Sequence, residues 1–313
     1  MKLLRIIWCA GWLAATGVTT LAGPLSRADV PAEPAWLVHL DFDGLRSTAI
    51  GQVIQQQMNR PEVQDRLAAF QAVFSFDLRS QLHAATLYSC GAAPEDGVLL
   101  VYADFDANRL VVLAKAAKDA QNTTYNNHVI FSWTDDKKPA KAGVKPRVYA
   151  AIAGGRVVFG QRQDRLGQAL DVLDRTAPSL ASSANFPLAG VPGDNSFVEA
   201  AARKMDLAGT MPNARVLRLS KSVLFQVTEA QQQLTATLSL EANNPEVAGN
   251  MNSIAQGLLA LLKLQTDEPE ALKFASAIAV AQNGARITAT FSMPTPDLLQ
   301  LIKAAQARKA AGL

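Results

Sequence analysis

Twice near its start the chain spells the same joint. An apolar run closes on Asp-Phe-Asp and hands over to a helix-forming stretch, first as Trp36-Leu-Val-His-Leu-Asp-Phe-Asp-Gly-Leu45 and again as Val98-Leu-Leu-Val-Tyr-Ala-Asp-Phe-Asp-Ala-Asn-Arg-Leu110. An apolar run bounded by such residues reads as a strand, and an aspartate at its end can cap the helix that follows by accepting from orphan N–H groups of the first turn. Asp43 and Asp106 are the expected caps. A weaker echo, Leu234-Thr-Ala-Thr-Leu-Ser239 and Ile287-Thr-Ala-Thr-Phe-Ser292, also runs into helical sequence. A chain built this way must interleave strands and helices, which places it in the α+β class.

The first 28 residues follow a different logic. Lys2 and Arg5 precede an uncharged run from Ile6 to Gly23, and small residues follow. This is the pattern of a secretory signal, with cleavage expected after Ala22 or Ala28, the second being preferred because it leaves Asp29 as the mature N-terminus. The signal carries three of the 30 Lys and Arg and none of the 27 Asp and Glu, so the mature chain balances at 27 against 27. Without a positive field it lacks the footprint of a nucleic-acid-binding protein. Cys9 leaves with the signal and Cys90 stands alone, which excludes an intramolecular disulfide. The apolar run around Cys90 predicts a buried thiol. After the signal no stretch is long and apolar enough to span a bilayer.

The expected organisation is a signal peptide at 1–28, a first α+β domain at 29–177, a linker at 178–194 rich in Ala, Ser, Pro and Gly, and a second α+β domain at 195–313. The first half reads as strand, helix, hairpin, helix, strand. That is the split βαβ order, so the expected fold is α+β with two ferredoxin-like (split βαβ) layers, antiparallel or mixed sheets with helices on one face. The Ala-rich segment at 195–204 reads as a helix. Strands are expected near 214–219, 222–229 and 233–241, followed by a long helix from Pro245 to Leu264. In that helix Met251, Ile254, Leu258, Leu261 and Leu262 recur at helical spacing, a core stripe.

Split βαβ pairing would set the first and third strands side by side. Side chains alternate along a strand, so His39, Asp41 and Asp43 share one face. Asp41, Asp43, Asp104 and Asp106 would then meet at one sheet edge, where several oxygens could hold a hard cation such as calcium, or two close carboxylates could share a proton. Capping and pairing with Arg46 and Arg109 compete for the same carboxylates. His39, His83 and His128 lack zinc spacing, and neither a nucleophile elbow nor a phosphate loop is present. No cofactor is implied.

The segments His39-Leu-Asp-Phe-Asp-Gly-Leu-Arg-Ser, Thr86-Leu-Tyr, Val98-Leu-Leu-Val-Tyr-Ala-Asp-Phe-Asp and Val148-Tyr-Ala-Ala-Ile resemble a group of uncharacterised secreted bacterial proteins. The resemblance implies an exported two-part α+β protein and supplies no functional residues. Two functional classes follow from the sequence. The first is a non-catalytic periplasmic or envelope binding or scaffold protein, with other envelope proteins among its partners. The second is a metal-dependent or acid/base hydrolase-like enzyme working through the aspartate cluster.

Overall fold

The computed structural model describes residues 23–140, 145–183, 186–187, 196–203, 220–264 and 269–310. Most of the expected signal segment and the strand expected near 214–219 lie outside them.

Among the described residues twelve strands form one sheet: β1 (Trp36–Asp41), β2 (Leu82–Ser89), β3 (Gly97–Ala103), β4 (Gln121–Tyr125), β5 (His128–Thr134), β6 (Arg147–Ala153), β7 (Arg156–Gly160), β8 (Ser196–Arg203), β9 (Ser220–Ala230), β10 (Gln233–Ala242), β11 (Ile278–Asn283) and β12 (Arg286–Pro294). Their order across the sheet is β11-β12-β10-β9-β8-β1-β2-β3-β7-β6-β5-β4. All pairings are antiparallel. The α+β class holds, but the split βαβ order does not. β2 pairs with β1, Leu37 opposite Tyr88 and His39 opposite Thr86, and so separates β1 from β3. The helices α1 (Phe42–Arg46), α2 (Ala49–Met58) and α3 (Pro61–Phe74) return the chain beside β1, whose edge is satisfied by the first antiparallel strand to arrive.

The other edge of β1 is taken by β8, with Leu37 opposite Ala201 and His39 opposite Glu199. This strand is the segment whose alanines read as a helix. Held between β1 and β9, it supplies ladder hydrogen bonds on both sides, and tertiary pairing overrides local propensity. The ladder therefore runs unbroken past the expected linker. In that linker Leu180 is buried and its N–H donates to the Val30 carbonyl at 2.8 Å. Buried apolar side chains nevertheless gather in two clusters. One is built around Leu37, Leu100, Val158, Leu166 and Leu170, the other around Leu240, Ala248, Met251 and Ile287.

Helices lie on both faces, not one. Val158 packs with Leu166 and Leu170 of α5 (Gln163–Leu173), while its neighbours Val157 and Phe159 point to the opposite face, toward α4 (Ala107–Ala116). In the second half α6 (Pro245–Leu264) packs Ala248 and Met251 on Leu240 and Ile287, and α7 (Pro269–Ser276) and α8 (Thr295–Ala310) follow. The two halves are tied again through Glu229 of β9. Its carboxylate accepts from the N–H groups of Ala49 and Ile50 at 3.0 and 3.2 Å, satisfying orphan donors at the start of α2. At the same turn a Cβ on Gly51 would sit 1.8 Å from the Leu45 carbonyl oxygen, so only glycine allows α1 and α2 to pack this closely.

Two further expectations are corrected. Met251 is buried, but Ile254, Leu258, Leu261 and Leu262 are 57, 63, 51 and 43% exposed, so the apolar stripe of α6 is core only in its first turns. The strands beneath meet Ala248 and Met251. Farther along, Gln256 donates to the Val280 carbonyl of the edge strand β11, where the sheet ends. Cys90 lies one residue beyond β2 and is exposed, because the strand closes at Ser89.

The first core is closed by a buried ion cluster. Asp29 is fully buried. Arg156 reaches it through Nε and Nη2, each at 3.0 Å, Arg175 through Nη2 at 3.0 Å, and the Tyr102 hydroxyl donates at 3.1 Å. This pins the segment before β1 across the sheet, with Val30 beneath it. A buried carboxylate left without such partners is costly, and so are the arginines left without it. Asp29→Ala is expected to lower the unfolding free energy by about 3–5 kcal/mol, read from urea denaturation of the two proteins. A loss below about 1 kcal/mol would show that the cluster holds nothing in place.

Candidate functional site

The two Asp-Phe-Asp joints end at the same edge of the sheet, separated by β2. Asp41, not Asp43, is the N-cap of α1, its Oδ1 accepting from the Gly44 N–H at 2.8 Å. The cap falls two residues earlier than expected, on the first aspartate of the joint. Asp106 caps α4, accepting from the N–H groups of Asn108 and Arg109 at 2.9 and 3.2 Å. The two remaining carboxylates are drawn together by a residue the sequence left unassigned. His83, at the start of β2, faces Asp43 through Nδ1 at 3.0 Å and Asp104 through Nε2 at 3.1 Å, and Arg46 pairs with Asp43. The strand inserted between the joints thus supplies the bridge. His83 sits at a register shift between Leu82 and Ala84, and no spacing in the sequence links it to either joint.

This arrangement has limited chemistry. Both ring nitrogens of His83 face carboxylates, so the ring is placed as a bridge between Asp43 and Asp104. Among the described residues no group of three or more His, Cys, Asp or Glu side chains is placed to hold one. Two of the four predicted aspartates cap helices and two share His83.

The joints matter more for what they position. Arg109, three residues into α4, donates from Nε to the Val73 carbonyl at 3.0 Å and from Nη2 to the Ala72 carbonyl at 3.4 Å, satisfying orphan acceptors at the end of α3. Asp106 and Arg109 together set α4 above β5, β6 and β7 with Phe74 at one end. Between helix and sheet lies an apolar cleft of about 260 Å³. Leu110, Val111 and Ala114 line it from α4, and Phe131, Trp133, Ile152 and Phe159 from the strands. None of the four predicted aspartates lines it. The cleft follows from alternation, since the strands here put bulky apolar residues on both faces and α5 covers only the other one. Sequence reading missed it because cavity shape depends on how far α4 stands from the sheet.

The magnitudes indicate what such a cleft can do. The cleft is partly open to solvent, so a ligand can enter it from outside, and its walls offer almost no polar partner to the water it would displace. An apolar cavity of ~150 Å³ already takes up benzene.

His39 also requires an account. It is buried at the centre of the sheet, with Nδ1 2.9 Å from the Thr86 hydroxyl. Burial holds its pKa below the ordinary 6.5, against the opposing pull of Asp41 and of the Gly23 backbone. The folded protein therefore resists a proton that the unfolded chain accepts. Stability from this residue is complete above pH 6.5 and falls as the pH drops from there toward the native value. Thermal midpoints measured from neutral to mildly acid pH are expected to fall more steeply in the native protein than in His39→Gln. Parallel curves would assign the acid sensitivity to other groups.

No family model and no curated protein matches the chain. Among solved structures it is similar to TP0453 in two crystal forms. Form III shares 10% identity over 90% of this chain and 99% of that one, with a TM-score of 0.46. Form I shares 9% identity over 91 and 98%, with a TM-score of 0.47.

Proposed function

We propose that this protein is an exported, non-catalytic binding protein of the periplasm or envelope whose ligand is an apolar small molecule held in the cleft under α4. The observation that carries this reading is the cleft itself, 260 Å³ lined by aliphatic and aromatic side chains. Ligand sites are concave and mostly apolar, and this one is preformed by the capped and clasped α4. The aspartates that suggested catalysis are engaged in capping and in the His83 bridge, which supports binding over hydrolysis.

Export rests on the signal-like first segment, and the fold favours processing after Ala22 over Ala28. Leu25 packs against the first core, the Ser26 carbonyl accepts the Asp29 N–H at 3.0 Å, and the Ala28 carbonyl accepts from Arg175. Cleavage after Ala28 would remove all three and place a charged amine on a fully buried residue. The intact mass of protein recovered from an expressing bacterium's periplasm is expected to begin at Gly23. A mass beginning at Asp29 would reverse the choice, and an unprocessed mass would count against export.

Ligand uptake is tested with N-phenyl-1-naphthylamine, a neutral apolar dye that fluoresces out of water. Wild-type protein is expected to bind it saturably, and Ala114→Phe, which fills the cleft from α4, to lose that signal while keeping its circular dichroism spectrum. Because α6 also exposes leucines, the variant separates cleft binding from surface adsorption. Equal dye binding by both proteins would remove the cleft from consideration.

A further inference from the structure

A second, polar recess opens directly beside the apolar cleft. The two share Val111, Phe131 and Ile152 as a common wall, and the recess adds Lys115, Asn122 and Asn127. Its position follows from register and helix period. Asn122 lies opposite Phe131 on β4 and so projects on the face of the cleft, and Lys115 stands one turn beyond Val111 on α4.

The electrostatics of the recess are one-sided. Lys115 is exposed and forms neither a hydrogen bond nor an ion pair with any described residue. Its neighbours differ. Lys118 pairs with Asp136 at 3.2 Å and His128, on the recess wall, with Asp174 at 2.9 Å. Among the described residues no carboxylate lines the recess. An ammonium and two carboxamides, all capable of donating, therefore line the recess beside the apolar cleft.

We propose that the ligand is an anionic single-chain amphiphile, its hydrocarbon chain in the cleft and its headgroup on Lys115. This rests on the reading of the cleft as a ligand site and adds to it the polarity of the ligand and the direction in which it enters. The shared residues are all apolar and set the two spaces side by side, so a chain held in the cleft would end next to the recess that carries Lys115. Desolvating the chain supplies affinity, and the lysine selects the charged end. A lysine in the last turn of a helix also complements the helix dipole, so stability alone does not report on this role.

The test displaces N-phenyl-1-naphthylamine with decanoate and with 1-decanol, which share a chain length and differ in headgroup charge, and with acetate as the headgroup alone. Decanoate is expected to displace the dye from wild type at lower concentration than decanol, with acetate inactive. Lys115→Ala is expected to weaken decanoate about fivefold, the upper range of an exposed ion pair, and to leave decanol unchanged. Lys115→Glu should weaken decanoate further, and added salt should narrow the gap between the two ligands in wild type only. If both ligands displace the dye equally and Lys115→Ala changes neither, the anionic headgroup is overturned while the apolar cleft stands. If neither ligand displaces it, the cleft reading fails as well.

Discussion

The structure depends on the hydrogen-bonding obligation of one strand. β1 is six residues long and its alternate side chains are buried, so its backbone donors and acceptors have no access to water and must be paired on both edges. One edge takes β2, which arrives after three helices. The other takes β8, which arrives from beyond residue 195. Because both partners are antiparallel, everything attached to them is recruited into a single twelve-stranded ladder. Two half-chains, each with its own apolar cluster, thereby share one sheet.

On that sheet the two faces are finished differently. Over β1, β2, β3 and β7 one face is sealed by α5 and by the segment carrying Asp29, whose carboxylate joins Arg156, Arg175 and Tyr102. The same charge and the same burial push the Tyr102 hydroxyl pKa upward, burial first, which keeps it neutral as a donor to Asp29. A second buried carboxylate, Asp96, takes Arg162 and Arg165 at 3.0 and 2.9 Å, and the Arg165 hydrogen bond holds it below the usual carboxylate range. The opposite face is closed less tightly. α4 is fixed at its start by Asp106 and clasped to α3 by Arg109, and over β5 to β7 it leaves a slot where the sealed face has packed side chains. Close packing on one face supplies the rigidity that lets the other keep an opening.

The second half shows the same economy in a more polar form. The echoed segments of β10 and β12 are neighbours, Thr237 opposite Thr290 and Ser239 opposite Thr288. Their hydroxyls line one face, with Ser239 and Thr288 3.4 Å apart and Gln233 donating to Ser292 at 2.8 Å. Leu234, Leu240 and Ile287 turn the other way, toward the helices. The repeated pattern visible in the sequence is thus a cross-strand pair, not a repeated domain surface.

Local grammar was legible from residues alone. The strand-to-helix joints, the hairpin of β2 and β3, the start of α6 at Asn244-Pro245, where Asn244 accepts the Val247 N–H at 2.8 Å, and the echoed segments of β10 and β12 all depend on neighbours a few positions apart. So does the capping role of the aspartates, apart from the shift from Asp43 to Asp41. What long-range pairing decides was out of reach. Whether the alanines of β8 make a helix or a strand depends on the open edge of β1, and whether His83 matters depends on β2 falling between the joints. The exposure of Leu258 depends on where the sheet ends beneath α6, and the cleft depends on the height at which Arg109 holds α4. A sequence specifies which groups must be satisfied. Which partner satisfies them is settled only when distant strands compete for the same edge, because an edge binds backbone and carries almost no information about which backbone it will be.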